Sequence, residues 1–121
     1  MKSYVEVKNV SVSALRLLAM KARLLADAID MELAAATSVE RSRLAIVTGA
    51  LRRHEVSFKR YAENLGKGSL PPKRTLSDMQ WIAERINERI RRGQPTERPD
   101  AHAFATRKRT PKKSGALSGG R

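Results

Sequence analysis

The sequence contains no cysteine, and its aromatic residues are limited to one Trp, two Tyr and two Phe. Without cysteine, disulfides, thiolate chemistry and zinc sites built on sulfur ligands are excluded. Uninterrupted apolar runs extend over only a few residues, far short of the roughly 20 that span a bilayer. No secretory signal pattern is present either. We therefore expect a cytoplasmic protein with an aliphatic core and no membrane segment.

Positive charge is what the chain has in excess. Lys and Arg number 25 against 12 Asp and Glu, which gives a formal net charge of +13 over 121 residues. Residues 66–75 contribute +3 of this charge and residues 94–121 contribute +5. A strongly positive surface attracts polyanions over a Debye length or more. Nucleic acid is therefore the first partner to consider.

Proline and glycine divide the chain. Residues 66–75 form a basic linker in which Pro71 and Pro72 forbid a helix. Residues 94–121 combine three Pro, three Gly and few large apolar side chains, a composition typical of disorder. We expect a disordered basic tail there, which leaves residues 1–65 and 76–93 for ordered structure.

Residues 4–10 are rich in Val and roughly alternate, which favours one short strand. No second strand-like segment exists in the sequence. The segment must therefore pair with another copy of the chain, lie against the helices or fray.

Two helices are predicted between residues 13 and 65. The first carries two adjacent apolar stripes, which predict burial over more than half of its circumference; they comprise Leu15, Leu18, Ala22, Leu25 and Ile29, and Leu17, Met20, Leu24, Ala28 and Met31. A capping box of Thr37 and Glu40 starts the second helix. Its apolar positions then alternate steps of three and four from Leu44 to Leu65. An antiparallel helical hairpin follows, with a single bent helix as the alternative.

A third amphipathic helix is predicted over residues 76–93. Ser77 with Gln80 forms a second capping box, and Gly93 ends the helix. The fold class is therefore all-α, a hairpin plus a third helix. The first helix is basic in its first half and acidic in its second, and two copies packed head to tail would pair these halves. This arrangement and the small core favour a homodimer.

Catalytic chemistry has little support. His54 lies at an apolar seam position, and His102 lies in the tail. Asp27, Asp30 and Glu32 are interpreted as partners of Arg or Lys, because no histidine or second carboxylate motif has metal-ligand spacing. We expect no enzyme, cofactor or metal site.

Basic residues outside the seam of the second helix offer a better site. In the heptad of that helix, Arg52, Arg53, Lys59 and Arg60 project away from the apolar seam and form what we call the outer stripe. Further candidate phosphate contacts lie in the linker and the tail: Lys73, Arg74, Arg107, Lys108, Arg109, Lys112 and Lys113. With few aromatics for stacking on unpaired bases, duplex DNA or structured RNA is favoured.

Two alternatives compete with this interpretation. A helix-turn-helix over residues 41–60 would give a short recognition helix from Phe58 to Leu65 that exposes Lys59 and Arg60. A protein-interaction module, such as an adaptor, assembly component or inhibitor, would use the basic surface to bind an acidic protein. The favoured function is a small protein that binds phosphates of duplex DNA or structured RNA.

Overall fold

The computed structural model describes residues 4–98, and three helices account for most of that range. The first, α1, spans Val12–Leu33; α2 spans Ser38–Gly66; and α3 spans Thr75–Arg91. α1 packs mainly against α2 and also contacts α3. The prediction of an all-helical fold is therefore confirmed for the described residues. None of these helices is both long and apolar enough to cross a membrane.

A short turn separates α1 from α2. The Thr37 hydroxyl accepts a hydrogen bond from the Glu40 amide at 3.2 Å, and the Glu40 carboxylate accepts one from the Thr37 amide at 3.4 Å. This is the predicted capping box, which satisfies two amides that would otherwise lack acceptors. Residues 13–65 are therefore two helices rather than one.

Glycine in a left-handed conformation ends both α2 and α3. Gly68 has φ of 95° and Gly93 has φ of 71°. At each end, the amide after the glycine bonds a carbonyl five residues earlier, Ser69 to Asn64 and Gln94 to Arg89. The stop at Gly93 is confirmed, whereas α2 runs through Gly66 and turns at Gly68, because Gly68 takes the left-handed position.

The capping box predicted for α3 at Ser77 and Gln80 is wrong: the N-cap residue is Arg74, three residues before Ser77. The helix begins at Thr75, whose amide donates to the Pro72 carbonyl at 3.1 Å. Thr75 is fully buried, and Ser77 is an exposed residue within the first turn. No side chain caps the helix start, and the buried Thr75 hydroxyl has no hydrogen-bond partner within residues 4–98.

The three helices share one aliphatic core. Its largest fully buried side chains include Leu15, Leu25, Leu51, Phe58 and Ile82. The first predicted stripe of α1 is buried as expected. The second is buried only in part: Ala28 is 2% exposed, whereas Leu17, Met20 and Met31 remain 43–45% exposed. Within residues 4–98, α1 packs against α2 and α3. These two helices leave one face of α1 exposed.

The predicted strand over residues 4–10 is not confirmed, since residues 4–98 contain no strand. The Asn87 side chain accepts a hydrogen bond from the Val5 amide at 2.7 Å and donates one to the Val5 carbonyl at 2.8 Å. Val5, Val7 and Val10 pack against the core. The segment thus lies against the helices. The Asn87 side chain of α3 forms the two backbone hydrogen bonds with Val5 that a neighbouring strand would otherwise form.

Candidate nucleic-acid interface

The outer stripe of α2 does not face one direction. Arg52 turns toward α1, where its guanidinium bonds the Asp27 carboxylate at 3.0 Å and also bonds Asp30. These bonds, with Asp30 the stronger influence, raise the pKa of Arg52. Its charge is thus matched inside the chain. The interpretation of Asp27 and Asp30 as partners of a basic residue is confirmed.

The other three residues of the outer stripe are exposed. Arg53 forms no ion pair within residues 4–98. Lys59 pairs with Glu55, one helical turn earlier, at 3.0 Å, and Arg60 lies over the Tyr61 ring at 5.7 Å. The Lys59 side chain is 60% exposed, whereas that of Glu55 is only 14% exposed, so leaving the Glu55 carboxylate unpaired would be costly. Because its ammonium has three donors, Lys59 can contact a phosphate while it keeps its pair with Glu55.

Two arginines of α1 join Lys59 in a shallow depression of about 180 Å³. Arg16, Met20 and Arg23 line it from α1, and Glu55 and Lys59 line it from α2. Arg16 and Arg23 are exposed and form no ion pair in the described part of the chain. Glu55 is the only acid in this lining and already pairs with Lys59. We call Arg16, Arg23, Arg53, Lys59 and Arg60 the basic patch.

Arg16 and Arg23 were not predicted as site residues, because the two apolar stripes of α1 indicated a core helix. The available signal was their spacing of seven residues on one face of α1. That spacing matches the seven residues from Arg53 to Arg60 on α2. Only the packing of the first half of α1 beside the second half of α2 brings Arg16 and Arg23 together with Lys59.

The linker supplies two further predicted contacts. Lys73 is exposed and forms no ion pair within residues 4–98. Arg74 immediately precedes α3 and pairs with Asp78 at 3.5 Å. The five predicted tail contacts lie outside the described residues: Arg107, Lys108, Arg109, Lys112 and Lys113.

His54 occupies a packing position. Its ring stacks on Phe58, with centroids 5.5 Å apart, and lies 5.8 Å from the Trp81 ring of α3. Burial lowers the pKa of the imidazole. Within residues 4–98, no three histidine or carboxylate side chains gather to hold a metal ion. Glu32, the third acid of α1, pairs with the buried Arg89.

The helix-turn-helix alternative is wrong. It required a break before Phe58, yet α2 is continuous from Ser38 to Gly66. Phe58 is fully buried at the seam rather than positioned at the start of a recognition helix. The unbroken heptad spacing of the apolar residues outweighs the local resemblance to a turn.

Compared with known protein families, curated proteins and solved structures, the chain matches none.

Proposed function

We propose that the protein binds nucleic acid through phosphate contacts made by the basic patch. The observation that carries the proposal is the meeting of Arg16 and Arg23 of α1 with Lys59 of α2 around one depression. Within residues 4–98 neither arginine has a carboxylate partner. Cations from separate helices that outnumber the one acid beside them, Glu55, are suited to a polyanion, and the net charge of +13 adds long-range attraction.

Duplex DNA or structured RNA is the favoured class of ligand. Trp81 and Tyr61 are half-buried and Phe58 is buried, which leaves Tyr4 as the exposed aromatic residue of the described range. Binding to unpaired bases relies on several aromatic stacking platforms. Contacts to phosphates position a protein without distinguishing base sequence, so we expect similar affinity for unrelated duplexes.

Arg52 takes a different role in this proposal. To contact a phosphate it must leave both Asp27 and Asp30, whereas Arg53 and Arg60 leave no carboxylate. We therefore assign Arg52 to holding α2 against α1, in an antiparallel hairpin. The near approach of Arg52 to Asp27 and of Lys59 to Arg23 supports that arrangement. The basic tail acts as an additional arm for phosphates.

Fluorescence anisotropy with a labelled duplex, a single strand and an RNA hairpin over a range of salt concentrations tests the proposal. Replacing Arg16, Arg23 and Lys59 with Gln should reduce the slope of log affinity against log salt on duplex DNA by roughly 3, at about 0.9 per phosphate contact. The matched control replaces Lys8, Lys67 and Arg91, three exposed cations elsewhere, with Gln. An equal reduction in the control would show that net charge alone binds, and would contradict the basic patch.

An acidic protein is the rival partner for the same surface. Val56 lies one turn from both Arg53 and Arg60 and is 63% exposed, and a phosphate backbone offers little for an apolar side chain. In this case, duplex binding should be weak at physiological salt even for the unaltered chain. The affinity of the unaltered chain for duplex DNA at physiological salt therefore distinguishes nucleic-acid binding from binding of an acidic protein.

We also propose that the protein is a homodimer, formed through the exposed face of α1. The exposed Leu17, Met20 and Met31 support this. The opposed charges of the two halves of α1 contribute less to a dimer than the sequence indicates, because Asp27 and Asp30 already pair with Arg52. Light scattering at micromolar concentration should report twice the monomer mass, and a monomer would remove the proposal.

A further inference from the structure

A second surface lies away from the basic patch. A groove of about 510 Å³ runs between α1, the first half of α2 and the end of α3. Four apolar side chains form part of its lining: Leu25, Ile29, Leu44 and Val47. Leu25 and Ile29 are buried core residues, and Leu44 and Val47 pack against them. We call this surface the arginine groove, because Arg43, Arg85, Arg89 and Arg92 also line it.

The charges in the arginine groove are only partly matched. Arg89 bonds Glu32, and Arg92 pairs with Glu88 at 3.1 Å. Arg43 is exposed and forms no ion pair within residues 4–98. The Nε of Arg85 is buried and has no hydrogen-bond acceptor, although its Nη2 lies 3.6 Å from Glu84. Arg43 therefore retains hydrogen-bonding capacity for a carboxylate of a partner, whereas the Arg85 guanidinium lies over the Trp81 ring at 5.4 Å and its buried Nε is out of a partner's reach.

Apolar surface continues past the rim of the groove. Val39 is 70% exposed and Ile46 is 72% exposed, and their spacing of four and three residues places them beside Arg43 on α2. An unpaired arginine between two exposed apolar side chains complements a segment that carries both apolar and acidic groups.

We propose that the arginine groove binds a short segment of a partner protein in which large apolar side chains alternate with carboxylates. The chain's own tail is a poor occupant, because residues 99–121 carry six basic residues and one acid. Nucleic acid fits poorly as well, since a phosphate backbone offers nothing to the apolar side chains of the lining. Glu40, Arg43 and Arg92 are exposed at the rim, and an open groove suits a peptide better than an enclosed small molecule. This inference does not rest on the proposed function.

Fluorescence anisotropy with a labelled 12-residue peptide, containing two leucines one helical turn apart with glutamates around them, tests this proposal on the full chain. The glutamate peptide should bind saturably, and the same peptide with Gln in place of Glu should bind at least tenfold more weakly. Arg43→Glu should weaken binding of the glutamate peptide about tenfold or more. Arg53→Glu is the matched control, because Arg53 is also exposed and unpaired on α2.

Arg53→Glu should leave peptide affinity within about twofold and should weaken duplex binding. Arg43→Glu should weaken peptide binding and should leave duplex affinity within about twofold. In methyl NMR spectra, the peptide should shift the signals of Ile29, Leu44 and Val47 and leave that of Val56 in place. Absence of saturable binding, equal losses in the two variants, or shifts confined to Val56 would each overturn the groove as a docking site. Failure of duplex binding alone would remove the proposed function and leave the groove standing.

Discussion

The His54 side chain packs against other rings in its neutral form, and this makes the stability of the fold depend on pH. Its ring contacts Phe58 on its own helix and Trp81 on α3. Burial is the main reason that its pKa falls below 6.5; Asp78 opposes the shift, and Arg53 and Arg74 add to it. The imidazolium is therefore disfavoured in the folded state relative to the unfolded one.

The sign of the effect follows from proton binding. Between the lowered pKa of folded His54 and 6.5, the unfolded chain binds more protons than the folded chain, so stability rises with pH there. Stability from this residue is present above pH 6.5 and is lost as the pH falls toward the folded pKa. Urea unfolding of the unaltered chain and of His54→Gln from pH 5 to pH 8 should show the unaltered chain losing stability relative to the variant on acidification. Parallel curves would contradict this assignment.

The helices show what sequence patterns determine and what they miss. Heptad spacing from Leu44 to Leu65 and the Thr37 capping box located α2 correctly, because both depend on residues within one turn of each other. The same local reasoning misplaced the cap of α3, since the helix begins at Thr75 without a side-chain cap. The direction of Arg52 also escaped prediction, because it depends on where the acids of α1 lie after packing.

Thr37 caps α2 in the structure, whereas the helix cap at Ser77 is indicated only by the sequence. Thr37→Ala should lower the free energy of unfolding by about 1 kcal/mol, because the Glu40 amide loses its acceptor. Ser77→Ala should change it by less than about 0.5 kcal/mol and with a stabilising tendency, because alanine is the better residue inside a helix. Urea denaturation measures both. A larger loss for Ser77→Ala than for Thr37→Ala would place the start of α3 at Ser77 after all.

Across the whole molecule, the boundary between fold and tail lies later than composition indicates. The composition predicts a tail that starts at residue 94, yet Gln94, Pro95 and Thr96 are half-buried. The Pro95 carbonyl accepts a hydrogen bond from the Nε of Arg89 at 2.7 Å, and Arg89 is only 8% exposed. The predicted disorder of residues 99–121 lies outside the described range.

Two truncations test this boundary and the role of the tail together. Ending the chain at residue 98 should leave the melting temperature unchanged, because every contact described for the fold is retained. Ending it at residue 93 removes the Pro95 carbonyl and leaves a buried, charged donor without its acceptor, which costs about 1–3 kcal/mol. For a domain of this size, that loss corresponds to a melting temperature lower by at least roughly 4 °C.

Both truncations remove the same five predicted tail contacts, so their binding should change alike even though their stabilities differ. If all five cations contact phosphates, each truncation should flatten the slope of log duplex affinity against log salt by roughly 4, at about 0.9 per contact. Calorimetry and salt-dependent anisotropy on the two shortened chains give the two quantities independently. Because residues 94–98 contribute one basic and one acidic residue, Arg98 and Glu97, the two shortened chains carry equal net charge. A slope that changes only when the chain ends at residue 93 would therefore assign the binding defect to lost structure, and would leave the basic tail without a role in phosphate binding.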